Sequence, residues 1–472
     1  MNPSSTIRRL AFAAMAFVCG CATYTSPFVH KTEKELEAME SLDEAAAEDF
    51  RAGRYDAALG KLDRLTAEPT VSRTLYELER VSVLLQQGKR EEAHALMTKV
   101  RTDIELLFDA ESEEKAVSLW HGENNKVFKG DAHERAMLYA FLAMSYMEQG
   151  EWEDAERCVK NGLLADSANT KEARYNSDFA LLQYLGYVVC RKAGREADAQ
   201  EYAREMRESL GQRGRSADAG TAAGALLDEA SPLPNAFLVV WTGAPPSYAR
   251  GGEYEEIRQV IGGLNPYSLV TVDSGDGTEV GVPVGLGDIN FQAMTRGGRE
   301  MDTVLKDKAA VKTGMAVSGN ILLIVGYGCF SCIGNNSMAD LVFLGTGCSC
   351  LALGCTFHIV GSCINSKADI RSWKNLPGEL MVLPLVVPET GKDVVVRAYK
   401  TWDNAVCESV RVAPSPKGIT VSHMSLLPFA ERGDPLADIE SDAINRAKAA
   451  LKDPALRKLP EIRLGIDEGA VK

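Results

Sequence analysis

The sequence predicts a multidomain chain, with an all-α array of helical repeats followed by an α+β domain that carries an apolar, cysteine-rich helical hairpin. Three observations predict it. From Asp43 to Met206 apolar residues recur at three- and four-residue spacing in a charged, Ala/Leu-rich stretch with one proline, the period of successive amphipathic helices. After residue 233, β-branched and aromatic runs bounded by Gly, Pro and Asp take over, the pattern of strands. Inside that second half, Gly314 to Gly334 is 21 residues without Asp, Glu, Lys, Arg or His, and Leu341 to Ile364 is 24 residues titratable only at His358 and cysteines. Composition is that of a globular chain, 45% hydrophobic and 25% charged, with length for two or three domains. A net charge of −14 argues against nucleic acid and against docking on anionic lipid by charge.

The chain begins with Arg8 and Arg9, an uncharged run from Leu10 to Val18, and then Val18-Cys19-Gly20-Cys21. A basic start, an apolar run too short to span a bilayer and small residues describe a cleaved export signal over residues 1–20. Val-Cys-Gly-Cys resembles the lipobox of bacterial lipoproteins. That resemblance implies a lipid on the Cys21 sulfur, the only covalent group expected, with no other cofactor and no metal, and a lipidated tether over 21–42. Ala22 in place of Asp then implies the outer membrane, facing the periplasm, with several acyl chains meeting the need for more than one anchoring signal. The alternative is a secreted protein with a coincidental cysteine.

Residues 43–207 hold a recurring motif. Gly53 is followed by Ala58, Gly88 by Ala93, Gly150 by Ala155 and Gly194 by Ala199, each alanine five residues after its glycine. Such a spacing suits a tight helix–helix turn: Gly ends one helix at positive φ, acidic residues favour the start of the next, and Ala lets the two helices approach. The arrangement resembles the tetratricopeptide repeat, best in the third copy, where Leu142, Ala143 and Tyr146 precede the turn and Trp152 fills its aromatic position. Tyr55 fills that position in the first copy, and Arg90 and Glu196 depart from it. The glycines are 35, 62 and 44 residues apart, so only the first interval approaches the family's period of about 34. The resemblance implies a surface that binds envelope proteins or peptides; a non-repeat helical bundle is the alternative.

Residues 208–233 read as a linker or loose helix, and 234–430 as the α+β domain. Strands are expected at 237–241, 267–272, 380–387, 394–399 and 419–422. The pair 380–387 and 394–399, joined by Pro388-Glu389-Thr390-Gly391-Lys392-Asp393, is expected to form a hairpin. Helices are expected near 299–312 and, in the final segment 431–472, near 439–451.

Several blocks together resemble a family of uncharacterised bacterial outer-membrane lipoproteins. They are Phe128-Lys129-Gly130-Asp131 with Glu134-Arg135, the run Phe237 to Trp241 into Thr242-Gly243-Ala244-Pro245-Pro246, and Ala368-Asp369-Ile370-Arg371-Ser372-Trp373 with Leu376-Pro377. The last is similar to that family's Ala-Asp-x-Arg-x-Trp-x-x-Leu-Pro signature. The resemblance brings no activity. It implies an envelope lipoprotein, encoded near others linked to cell-wall synthesis or export. Asp369, Arg371 and Trp373 alternate as on an extended segment, and we expect a structural clasp: Arg371 paired to Asp369 or a backbone carbonyl, Trp373 buried against the 380–399 hairpin.

Both uncharged runs are long enough to span a bilayer, so the hairpin over 314–364 either inserts in a membrane or is buried or oligomer-forming. Insertion conflicts with passage to an outer membrane, because a strongly apolar helix risks retention in the inner one. Cys329, Cys332, Cys348, Cys350, Cys355 and Cys363 are candidates for disulfides, a metal site or unpaired thiols. Only Cys329-x2-Cys332 has the knuckle spacing of zinc. Cys158 and Cys190 are expected to pack as small hydrophobes. Asp273 to Glu279 has the acidity of a calcium loop without its ligand spacing. No nucleophile elbow, metalloprotease or phosphate-loop motif occurs, which points away from an enzyme. The expected role is a lipid-anchored, non-catalytic envelope scaffold, or alternatively a membrane-inserted or oligomeric export component.

Overall fold

Four glycines organise the first half. Gly53, Gly88, Gly150 and Gly194 have φ of 72°, 69°, 76° and 72°. In each case the next residue donates its N–H to the carbonyl five residues back: Arg54 to Asp49, Lys89 to Leu84, Glu151 to Tyr146 and Arg195 to Cys190. That bond closes a helix C-terminus when the residue after it is left-handed, a conformation an L side chain resists. The turns join α1 (Glu33–Arg51) to α2 (Tyr55–Thr66), α3 (Arg73–Gln86) to α4 (Arg90–Asp109), α5 (Ala132–Gln149) to α6 (Trp152–Asp166) and α7 (Ala180–Lys192) to α8 (Glu196–Gln212). Members of each pair pack together, and Ala58, Ala93, Ala155 and Ala199 are all fully buried where they meet. Cys158 and Cys190 are buried thiols among them.

The coordinates are a computed structural model, which describes residues 33–67, 69–109, 127–167, 179–214, 221–274, 279–295, 300–331, 338–363, 367–400 and 403–426. The signal segment, Cys21 and the helix expected near 439–451 lie outside these residues. The chain divides into Met1–Leu427 and Pro428–Lys472, and only the first contains described residues. Helix α1 starts at Glu33, ten residues inside the segment read as tether, because no helix breaker interrupts Glu33 to Arg51. A short helix, α9 (Ala222–Leu226), capped by the Thr221 hydroxyl, sits in the expected linker.

The second half contains three sheets among the described residues. The central one has the order β10 (Thr420–Ser425), β1 (Ala236–Thr242), β7 (Glu379–Leu385), β6 (Val284–Asp288). Strand β10 runs parallel to β1, from Ala236 opposite Thr420 to Trp241 opposite Ser425, and the other pairings are antiparallel. All seven residues of β1 are buried, which explains its unbroken apolar run. A second sheet has the order β5 (Glu279–Gly281), β4 (Tyr267–Ser274), β8 (Lys392–Lys400), β9 (Asp403–Val412); β2 (Ser247–Gly251) and β3 (Ile257–Ile261) form a two-stranded ribbon. The expected hairpin of 380–387 with 394–399 is therefore corrected. Strand β7 pairs with β1 and β6, and β8 with β4 and β9. The connection turns at Gly391, φ 77°, and carries the chain from one sheet to the other.

Helices α3, α5 and α7 are buried almost all round, while their partners bury one stripe each. The cause is the central sheet, which lies on them: the Trp241 ring stacks on Phe141 at 5.4 Å, Phe237 meets Tyr184 at 6.0 Å, and β6 packs against α7. Helix α10 (Ile289–Thr295) then leads to two long helices, α11 (Glu300–Ser331) and α12 (Met338–Cys363). The helix expected at 299–312 and the first uncharged run, as far as Ser331, are one continuous helix.

Candidate functional site

Two places concentrate unusual chemistry, and they are neighbours in the chain. The first is the segment 367–378, an extended strap between α12 and β7 that lies in the inner face of the helices. Asp369 receives the Arg371 guanidinium at 2.9 and 2.7 Å and also the Arg371 backbone N–H at 3.0 Å. The same guanidinium donates to the Val71 carbonyl and the Ser72 hydroxyl ahead of α3, and lies 5.5 Å from the Phe128 ring. Trp373 is buried, but not where expected. Its ring meets Phe141 of α5 edge-on at 6.1 Å, and its indole N–H donates to Ser82 of α3 at 2.9 Å. The expectation that it packs on 380–399 is corrected: those residues are split between two sheets, and the helices supply both the apolar wall and the hydroxyl that an indole needs. Leu376 and Pro377 are buried beside it.

Two carboxylates hold the strap by its backbone and a third by the Lys374 side chain. Glu134 caps α5 reciprocally with Asp131, accepting the Asp131 N–H, and uses its other oxygen for the Trp373 N–H at 2.6 Å. Glu79, deep in α3, accepts the N–H groups of Lys374 and Asn375 at 2.6 and 2.8 Å. Asp43 of α1 takes the Lys374 ammonium at 2.7 Å, with Glu44 at 3.0 Å. Burial, together with Asp131 nearby, pushes Glu134 up to about 7; burial and Asp43 hold Glu79 well above the usual carboxylate range. Burial works to lower the Lys374 pKa, but Asp43 and Glu44 more than offset it and keep the ammonium charged. Asp131 in turn forms a two-bond pair with Arg258 of β3 at 2.8 and 2.6 Å, the guanidinium lying 3.4 Å over the Tyr248 ring.

The strap also meets the block that runs from Phe237 to Pro246. Gly378 donates to the Gly243 carbonyl, and a Cβ on Gly378 would stand 2.3 Å from the Ala244 carbonyl oxygen, so the approach admits only glycine. Three blocks separated by more than a hundred residues thus converge on one junction. Glu79, Ser82, Lys374 and Arg258 were missed from the sequence. The one signal available was Glu77-x-Glu79 inside the apolar run of α3, a charge placed where only a buried partner explains it.

The second place is the pair α11 and α12. They run in opposite directions, with Gly319 beside Gly354 and His358, and Gly326 beside Gly347 and Leu351. Ala309–Cys329 and Val342–Val360 are each apolar and long enough to cross a membrane, with 17% and 11% of the two spans buried. At 1.5 Å per residue they measure about 31 and 28 Å, a bilayer's hydrocarbon thickness. Ile324 and Tyr327 of α11, and Val342 and Leu353 of α12, point outward with more than half of their surface free. Polar side chains on the pair find partners within it. Thr313, Ser331, Ser349 and Thr356 each donate to the carbonyl four residues back, and His358 bonds Asn320 across the two helices at 3.1 Å.

Cys329, Cys348, Cys350 and Cys355 carry free thiols, the unpaired alternative among the three the sequence left open. Residues two apart on a helix point to different sides, so Cys348-x-Cys350 builds neither a disulfide nor a knuckle. Cys332 lies outside the described residues, as does the side chain of Cys363. Among the described residues no group of His, Cys, Asp or Glu is placed to hold a metal ion. Asp273, from the acidic 273–279 stretch, pairs with Arg397. No protein-family model matches the chain, and no curated protein is significantly similar to it.

Proposed function

We propose that this protein is a non-catalytic, membrane-bound scaffold of a bacterial envelope, held by the helical hairpin α11–α12 in addition to the lipid on Cys21. The observation that carries this reading is the hairpin's surface. Large apolar side chains such as Ile321, Ile324, Val342 and Leu353 stand exposed along it, the hydroxyls of Ser349 and Thr356 are satisfied within their own helix, and its faces lack the cover that a core helix has. Burying such a surface in lipid removes about 25 cal/mol per Å² from the cost of exposing it to water. A non-catalytic role is supported by how the acidic groups are used: Glu79 and Glu134 spend both oxygens on backbone N–H groups.

The helices before it read as degenerate tetratricopeptide-like repeats, supported by the four left-handed glycines and the buried alanines after them. Such arrays commonly hold partners on their inner face. Here β1, β10 and the strap occupy that face, so envelope partners bind the outward faces of α2, α4, α6 and α8.

The native thiols test the membrane claim. The full-length protein is reconstituted into phosphatidylethanolamine/phosphatidylglycerol vesicles and treated with a charged maleimide, and sites are read by peptide mass spectrometry. Cys348 and Cys355, both exposed on α12, should label at least roughly tenfold less than in the same vesicles dissolved in SDS, because the bilayer core excludes a charged reagent. Equal labelling overturns the reading.

A further inference from the structure

We propose that the β2–β3 ribbon and α10 form a second membrane contact, a monotopic footprint that lies on the leaflet the hairpin enters, with phospholipid as its occupant. This rests on the membrane reading of α11–α12 and adds how the body is oriented. The exposed residues are Ile257 (40%) and Ile261 (51%) of β3, Leu264 (49%) just after it, and Met294 (56%) of α10. Ile257 and Ile261 fall on the same face of β3, and Gly262, next to Ile261, would bring a Cβ 3.4 Å from the Met294 sulfur.

What covers this patch follows from where it stands. Strand β3 packs against α11, and the Lys312 ammonium sits 4.8 Å over the ring of Tyr254 in the β2–β3 turn. Lys312 and Ala309 lie at the end of α11 where its apolar span begins. A Lys and a Tyr at the mouth of a span are the residues that favour the headgroup level. A hairpin inserted to its full apolar length therefore brings β3 to that level, and the apolar positions beside it meet the boundary between headgroups and acyl chains. Tyr327, near the opposite end of the span, stands exposed where the far headgroup level falls.

The patch is also held rigid. Ala244 donates its N–H to the Leu264 carbonyl, Asn290 accepts the Gly263 N–H, and a Cβ on Gly263 would come within 1.9 Å of the Ala244 oxygen. Arg258, on the same strand, is tied to Asp131 of α5. Insertion therefore leaves the helices and the central sheet fixed in orientation above the membrane.

The test places a tryptophan in the patch, Leu264→Trp, and a control on the exposed outer face of α6, Leu164→Trp, each in the full chain reconstituted in vesicles containing brominated phosphatidylcholine. The fluorescence added by each substitution over the parent is compared with bromines near the glycerol end or near the methyl end of the acyl chain. We expect the residue-264 increment to be quenched roughly twofold more by the shallow bromines than by the deep ones, as for an interfacial side chain, and the residue-164 increment by neither. Quenching at 264 equal to that at 164, with Cys355 still protected from maleimide, overturns the footprint and leaves the hairpin reading intact. A blue-shifted tryptophan that neither bromolipid reaches means a second copy covers the patch, which also overturns it. Unprotected Cys355 with an unquenched tryptophan removes both readings.

Discussion

The strap at 367–378 and the helix pair that precedes it are separated by three residues, yet they satisfy opposite environments. At the strap, ionisable groups lie inside the protein and each one described there meets a partner: Arg371 with Asp369, Lys374 with Asp43, Glu134 and Glu79 with backbone N–H groups. Along α11 and α12 the order is inverted, with apolar side chains outward and hydroxyls folded back on their own helices. The first is the pattern of a junction built in water, where an unpaired buried charge is ruinous. The second is the pattern of a segment whose solvent cannot hydrogen-bond at all. On the membrane reading proposed above, what separates them is the solvent each part meets.

The comparison breaks most directly at Trp373. Replacing it with Ala removes the ring from the inner face of α5 and orphans the Ser82 hydroxyl, at a cost of roughly 3–5 kcal/mol, as for other large buried aromatics. Thermal unfolding of the body should shift down accordingly, while maleimide protection of Cys355 stays unchanged. Loss of protection along with stability would mean that strap and hairpin form one cooperative unit.

Arg258→Ala sharpens it further, since Asp131 then loses a two-bond partner while still capping α5. Breaking one side of a buried pair costs on the order of 3 kcal/mol, measurable by urea unfolding. An effect below a few tenths would place Asp131 in water and deny that the junction is dry.

The smallest effect concerns pH. Glu134 lies near 7 in the folded chain against an ordinary 4.5, so the folded state holds a proton that the unfolded state has released, and stability falls as pH rises through that window. His423, buried beside Trp241 and pushed down to about 3, acts in reverse and removes stability as pH falls below its ordinary 6.5. Glu134→Gln isolates the first contribution: the loss of stability between about pH 5 and pH 7.5 should be smaller in the variant by on the order of 2 kcal/mol, leaving the histidine contribution in both proteins. Equal slopes would show that Glu134 is solvated.

Much of this fold was legible where the signal is local. The Gly-to-Ala turns, the strands at 237–241 and 267–272, and the Asp369–Arg371 pairing all depend on residues a few positions apart. Pairing partners were not legible. Pro388 to Asp393 has the composition of a hairpin turn, but whether a turn returns a strand to its neighbour or hands it to another sheet is decided by faces hundreds of residues away. The same holds for Trp373: its burial is written in its type, whereas Ser82 and Phe141 as its wall depend on how α3 and α5 stack. Glu79 stayed hidden because its ligands are backbone N–H groups, which leave no trace in residue identity.

Strand β10 sets the order in which the molecule can be completed. It lies parallel to β1 across 184 positions of sequence, the Ile419 N–H donates to the Met147 carbonyl, and the Arg90 guanidinium reaches the Val421 carbonyl. The central sheet therefore lacks its edge until the polypeptide beyond residue 425 has arrived, long after both apolar helices have emerged. Such distant pairing is slow to find, because loop-closure entropy precedes the contacts that reward it. A chain delivered from its N-terminus thus presents its helix pair before its body has closed, leaving the flank of β1 open to other strands and giving chaperones a defined interval in which to act.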